Sequence, residues 1–425
     1  MHASCLHNMD KNEGIRLETD FPKRIEGRDH WLLKEKTKDR QPRVFSDRNL
    51  IYIAAASVFL PFYLTGAIIV GLAVYLLLSP RTRHRIFVHD GSLFLLPFFA
   101  LILVVPAVYG NWVGLAGGIG LILILIIGLF VRSAMTRDIF EHMVTLVCLL
   151  SVPITLVAII EKLLMQPHFD GLYRCFTVFM NPNYFATIIG TVIILCGYKV
   201  VSHQGHPFLF YGIAAFDLIS IYLCGSLFVW VEVFIGVAAL LLFLRRHRML
   251  SALLLAAGLF CIMLYCMPDL IPRLSQSHIT TERREEIWST AIRAIGDAPL
   301  FGHGVMSYAF VYHNYPGSYP TTHAHSLYLD PFLNFGVIGT ALMLVYFVKY
   351  YKKVLYCLKE NSCSKIAILI CSVTLATLVH GATDITILWI QTGLLMVLLM
   401  GGLGAAERNL LRKMPHGEPS GQTNA

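Results

Sequence analysis

Apolar stretches long enough to cross a bilayer follow one another along most of this chain, from Leu50 to Ala405. A helical span needs about 20 largely apolar residues. Leu50–Ser79 is too long for one upright helix and is interrupted at Pro61, so two short helices in a hairpin are expected. Ser92–Val108, Trp112–Val131, His142–Ile160, Asn183–Val201, Pro207–Cys224, Ser226–Leu244, Met249–Met267, Ser326–Val348, Ile366–Ala382 and Ile387–Ala405 follow. The pattern predicts an all-α polytopic membrane protein of about twelve transmembrane helices, nine within 49–267 and three within 326–407.

Residues 268–325 break the pattern and form a large polar loop between spans. Thr281–Ile295 reads as an amphipathic helix: Thr280 or Thr281 caps it, and Ile287, Trp288, Ala291, Ile292 and Ile295 share a face. Gly296 and Pro299 stop it. Too short and too charged to span, it is expected at the interface. Arg284 stands one turn before Trp288, where the indole can brace it. An earlier loop, Glu161–Pro182, ends in Asn181-Pro182-Asn183, which breaks the chain and caps the next helix.

Charge orients the spans. Even-numbered junctions carry Arg81, Arg83, Arg85, Arg132, Arg137, Lys199, Arg245, Arg246, Arg248, Lys349, Lys352, Lys353, Lys359, Lys365, Arg408, Arg412 and Lys413. Odd-numbered junctions carry only Lys162, Arg174, Arg273, Arg283, Arg284 and Arg293. The positive-inside rule then makes both termini cytoplasmic and the 268–325 loop extracytoplasmic. Reading Leu50–Ser79 as one span would invert every later loop. Residues 1–48 hold eleven of the 34 Lys and Arg and no apolar core, which fits a disordered cytoplasmic tail near anionic lipid and not a signal peptide. Residues 408–425 form a second cytoplasmic tail. The net charge of +8 follows from this topology and does not point to nucleic acid. Ten cysteines without a C-x-x-C pair argue against a disulfide framework or zinc ribbon. Cations on the outer side run against the rule, which makes Arg174 and the 273–293 group candidates for an anionic ligand.

Arg284-x-x-x-Trp288, Pro299-Leu-Phe-Gly-x-Gly304 and His325-Ser-x-x-Leu329, with Gly336 and Gly339 beyond, stand in this order ahead of a span. Together they resemble the bacterial O-antigen ligase and O-antigen polymerase family of integral-membrane glycosyltransferases, over about a third of the chain. The resemblance implies a glycosyltransferase C-like fold in the bacterial inner membrane, acting in polysaccharide assembly with partners from that pathway. It implies a donor glycan on a polyprenyl pyrophosphate and an acceptor hydroxyl on a glycan, lipid or protein, with no metal or cofactor. Arg174, placed before N-P-N as in the family, would bind pyrophosphate with Arg284 and Arg283. His325 and Arg284 would be catalytic, supported by Trp288, Asn181 and Asn183. Many family members carry arginine where Leu227 follows Ser226.

Each residue also has a plainer reading. Arg174 can snorkel to the interface, Arg284 can pair with Glu282 or Glu285, and His325 can cap a helix. His323 is read as a neighbour of His325 only. His278, His303, His313, His323 and His325 lack metal-site spacing, so no metal is expected. Phe301-Gly-His-Gly304 reads as a turn allowing close backbone approach. Asp217, Glu232, Asp330, His380 and Asp384 lie within or beside spans, where ionisable groups are costly. They support a rival reading, a proton-coupled transporter or lipid-linked glycan flippase. The absence of repeated halves counts against it.

Overall fold

The computed structural model describes residues 46–87, 92–169, 173–203, 205–271, 274, 277–359 and 364–411. Most of the expected 1–48 tail, Arg273 and the tail beyond residue 411 lie outside them. Sixteen α-helices occur among the described residues. They are α1 (Asp47–Ser57), α2 (Phe62–Leu78), α3 (Pro80–Phe87), α4 (Leu96–Tyr109), α5 (Trp112–Ala134), α6 (Arg137–Met165), α7 (Pro182–Ser202) and α8 (Pro207–Cys224). After these come α9 (Leu227–Phe243), α10 (His247–Cys266), α11 (Ser277–Asp297), α12 (Ser307–Val311), α13 (Asp330–Lys359), α14 (Ser364–His380), α15 (Ile390–Met400) and α16 (Gly402–Leu411). No strand occurs among the described residues.

Among the described residues, seven helices are long and apolar enough to cross a membrane, or eight if the bent α2–α3 pair, angled by 99°, is one span. The chain is a multi-pass membrane protein. A helix occupies each of the stretches expected to span, but α4, α9 and most of α14 are shorter apolar segments of 10–17 residues. Pro61 does separate α1 from α2, and Thr65 seals the break by donating to the Ser57 carbonyl at 2.6 Å.

Helix starts follow their capping residues. Asn111 accepts from Gly114 N–H at 2.8 Å, Thr136 from Ile139 at 3.3 Å and Asn181 from Asn183 at 2.8 Å, each satisfying a first-turn donor. Helix α7 is the central strut, with 89% of its apolar window buried against neighbours that include α6, α8 and α9. Helix α10 has no buried residue in its window and contacts mainly α9.

Ion pairs tie one end of the bundle. Lys199 meets Glu141 at 3.1 Å, Arg132 meets Glu407 at 3.3 Å and Arg85 meets Asp47 at 3.0 Å. Arg408 donates to the carbonyls of Ser133, Ala134 and Met135. These residues belong to the basic junctions expected to be cytoplasmic. The Asn181 end of α7 lies at its opposite tip.

The glycine motifs explain how the polar loop is attached. Helix α13 breaks at Gly336 (φ 61°). Around the break, Val337 and Ile338 donate to the carbonyls of Pro299 and Leu300 at 2.8 and 3.0 Å. His303 and Gly304 donate to those of Leu333 and Asn334 at 3.0 and 2.9 Å. The P-L-F-G-x-G turn is therefore laced to α13 through backbone groups that an unbroken helix would have used internally. A Cβ on Gly336 would fall on the backbone of Leu300 and Phe301. Gly336→Ala is expected to cost roughly 2–5 kcal/mol from left-handed backbone strain and overpacking together. Thermal melting of the detergent-purified variant checks this; an unchanged midpoint would refute the close-approach argument.

Candidate functional site

Asp384 lies in the short link between α14 and α15 and is only 2% exposed. Its Oδ1 accepts from His325 Nδ1 at 3.0 Å, His323 Nε2 at 3.0 Å and its neighbour Ile385 N–H at 2.8 Å. Its Oδ2 accepts from Asn183 Nδ2 at 2.7 Å. Asn183 Oδ1 in turn accepts from Arg174 Nη2 at 2.8 Å, while Arg174 Nε donates to the Cys224 carbonyl at 2.8 Å. One carboxylate thus joins Arg174, Asn183 and His325.

His325 has φ 47°, a left-handed conformation uncommon for a residue with a side chain. Trp288 Nε1 donates to its carbonyl at 3.3 Å. A carboxylate can only accept, so the ring nitrogen facing Asp384 carries the hydrogen. His325 Nε2 then faces outward and lies 3.1 Å from the Thr321 hydroxyl. An aligned carboxylate, imidazole and hydroxyl is the arrangement in which imidazole serves as a general base for an alcohol.

His323 is more than a neighbour. Its ring centroid lies 4.2 Å from that of His325, and its Nδ1 lies 2.8 Å from the Thr322 hydroxyl. Asp330, at the start of α13, fixes the residue between the histidines by accepting from Ala324 N–H at 2.8 Å. Its other oxygen accepts from Asn334, which receives the Ser307 hydroxyl at 2.6 Å. Burial opposes ionisation of Asp384, but the two histidines outweigh it and hold the carboxyl well below the usual carboxylate range. Burial likewise disfavours the His323 imidazolium; hydrogen bonding and charge from Asp384, with Asp330 adding to them, raise its pKa above the ordinary histidine value.

The expected pyrophosphate arginines sit differently. Arg284 is half-buried on α11 and acts electrostatically on His380, which lines a small cavity together with Glu232 and Asp384. Arg283 is exposed, with its guanidinium 5.2 Å over the Tyr319 ring. Asn181 is confirmed as the cap of α7. Trp288, expected to brace Arg284, directs its indole N–H to His325.

Asp330 and Asp384 escaped selection as site residues in the sequence because they stood among the membrane-embedded charges. Of that group, Glu232 and His380 form a buried pair at 2.7 Å. Asp217 instead accepts from the Ser151 and Thr155 hydroxyls at 2.8 Å each, in a separate cluster between α6 and α8. His323 Nε2, His325 Nδ1 and an Asp384 oxygen lie within 4.8 Å of one another, near enough to share an ion. Here those two nitrogens are occupied as donors to the carboxylate.

Residues 212–344 match the family model described as O-antigen ligase. Over this stretch the chain is similar to that family. The stretch contains Glu232, Arg284, Trp288, His323, His325 and Asp330, so the expected family assignment is supported. Arg174, Asn183 and Asp384 lie outside the matched residues and reach His323 and His325 only through the fold. No curated protein matches the chain.

Proposed function

We propose that the chain is a metal-independent, inverting glycosyltransferase that moves a glycan from a polyprenyl pyrophosphate to an acceptor hydroxyl in cell-surface polysaccharide assembly. The observation that carries this reading is the Asp384–His325 pair, with Nε2 directed at a hydroxyl and His325 lying within the residues that match the O-antigen ligase model. The acceptor oxygen would occupy the Thr321 side of His325 and give its proton to Nε2 while bonding to the anomeric carbon. The anomeric carbon–oxygen bond then breaks, and its electron pair leaves on the pyrophosphate. Arg284, Arg174 and Arg283 would stabilise that charge, a role suited to fixed guanidiniums in a shielded site. The spans would hold the polyprenyl tail. A base opposite the leaving group implies inversion.

Incubating the purified protein with defined polyprenyl-pyrophosphate glycans and candidate acceptors tests the reading directly. Transfer is expected with and without chelator, and the anomeric configuration of the product reports inversion. No transfer to any glycan, lipid or protein acceptor would sink it. Arg284→Ala is expected to lower the rate by about 10²–10³-fold, and Arg284→Lys to restore part, since a point charge lacks the planar fork.

The proposed topology has twelve spans in the bacterial inner membrane, both termini cytoplasmic and the site outside. Cysteine-accessibility labelling should place residue 310 outside and residues 247 and 355 inside. An inward residue 310 would separate the site from exported donor.

The transporter or flippase reading draws on the buried Asp217 cluster and the Glu232–His380 pair. It expects Asp217→Asn or Glu232→Gln to abolish activity and Arg284 changes to be mild. The transferase reading expects the reverse order, measured as accumulation of lipid-linked glycan.

A further inference from the structure

One carboxylate oxygen serves two imidazoles. His323 Nε2 and His325 Nδ1 each approach Asp384 Oδ1 to 3.0 Å, and the Ile385 N–H occupies the same atom. We propose that His323 is a positioning residue which takes the single imidazolium charge this carboxylate can balance, leaving His325 neutral with Nε2 free to accept a proton.

A histidine paired alone with a buried carboxylate is driven toward its charged form, in which it cannot act as a base. A second imidazolium on the same oxygen removes that drive, because two like charges at contact distance in a poorly solvated site repel strongly. The surrounding charges do not supply a counter-ion for both rings. Asp330 on α13 faces the two histidines, but Arg174 reaches Asp384 through Asn183 and Arg284 acts electrostatically on nearby His380. Glu232 on α9 is matched by His380 on α14. The neighbouring cations therefore leave room for one imidazolium on this oxygen and not for two.

The two rings are not equivalent. Asp330 acts on both rings but more strongly on His323, whose outer nitrogen has a hydroxyl at 2.8 Å able to accept an imidazolium N–H. His325 is the more exposed, with a side chain 21% accessible against 14%, and its outer nitrogen faces the polar loop. Burial works against a charge on the inner ring, but Asp384 and Asp330 outweigh it there, so the cation belongs on the inner ring and the base on the outer one.

The inference rests on the transferase reading for its activity assay, and a second readout separates the two. His323→Gln keeps a donor near the Nε2 position and removes the charge; His323→Arg keeps both a donor and a permanent charge. In H323Q the acid limb of the pH–rate profile is expected to move up by about 1–2 pH units, so the rate near pH ~6.5 falls at least ~10-fold while that near pH ~8.5 changes little. In H323R the limb stays at the wild-type position. Nitrogen-15 NMR of labelled histidines, with the His325 signal assigned from a His325 variant, should show the same displacement. That displacement in a protein that transfers nothing would keep this inference and overturn the transferase reading. An unmoved limb and unmoved His325 titration in H323Q would overturn the inference, as would equal loss at every pH or displacement in H323R. If H323Q does not remain folded, H323N is read in the same way.

Discussion

His325→Ala is expected to reduce glycan transfer by about 10²–10⁴-fold, the usual range for loss of a positioned general base. The substitution removes the imidazole to which the acceptor proton is assigned, with its tautomer fixed by the carboxylate behind it. It should not unfold the protein. Histidine at φ 47° already bears the left-handed strain that any side chain meets there, so alanine adds none. The Trp288 bond goes to the backbone carbonyl and survives. What is lost structurally is one bond to Asp384, which retains three donors. Conversion of lipid-linked glycan by purified H325A, alongside a melting curve, checks both statements. Transfer at the unmodified rate would make His325 a structural residue and the mechanism wrong.

The sequence showed the parts of this arrangement whose cause is local. Alternation of apolar stretches with basic junctions located the helices, and Asn181 announced its cap because capping needs only adjacent residues. The P-L-F-G-x-G motif and Gly336 were visible as places of close approach, although their partnership across more than thirty residues was not. Helices such as α1, with 11 residues, merge with their neighbours in a hydropathy reading, and only the break at Pro61 separates them. Asp384 was legible as a costly charge but not as a site residue. It lies 59 positions from His325 and 201 from Asn183, and nothing local says which groups the packing of α7 and α14 will present to it. His323 was set aside for the same reason: its significance lies in sharing that distant carboxylate.

Asp384→Asn is expected to cost as much as removing the base, because an amide cannot satisfy the donors that converge on this residue. Two orientations are open to the asparagine. With its oxygen toward the histidines, its NH₂ meets Asn183 Nδ2, which donates at 2.7 Å in the native protein. Asn183 must then turn, and its oxygen is drawn from Arg174 Nη2, loosening a guanidinium proposed to hold the pyrophosphate. With the NH₂ toward the histidines, His325 must present a bare Nδ1 and carry its hydrogen on Nε2, the wrong tautomer for accepting a proton from the acceptor. Either orientation also removes the negative charge that the two histidines share. Loss of the equivalent carboxylate behind a catalytic imidazole lowers turnover by as much as ~10⁴-fold in hydrolases built on this arrangement. A reduction of about 10³–10⁴-fold is therefore expected here, with Asp384→Glu recovering only part because its longer side chain displaces the shared oxygen. Transfer assays on D384N, combined with nitrogen-15 NMR of the His325 tautomer, measure both consequences. If D384N keeps the native tautomer and transfers within a few-fold of wild type, Asp384 neither orients nor charges the base, and His325 must obtain its reactivity from its exposure and its left-handed backbone alone.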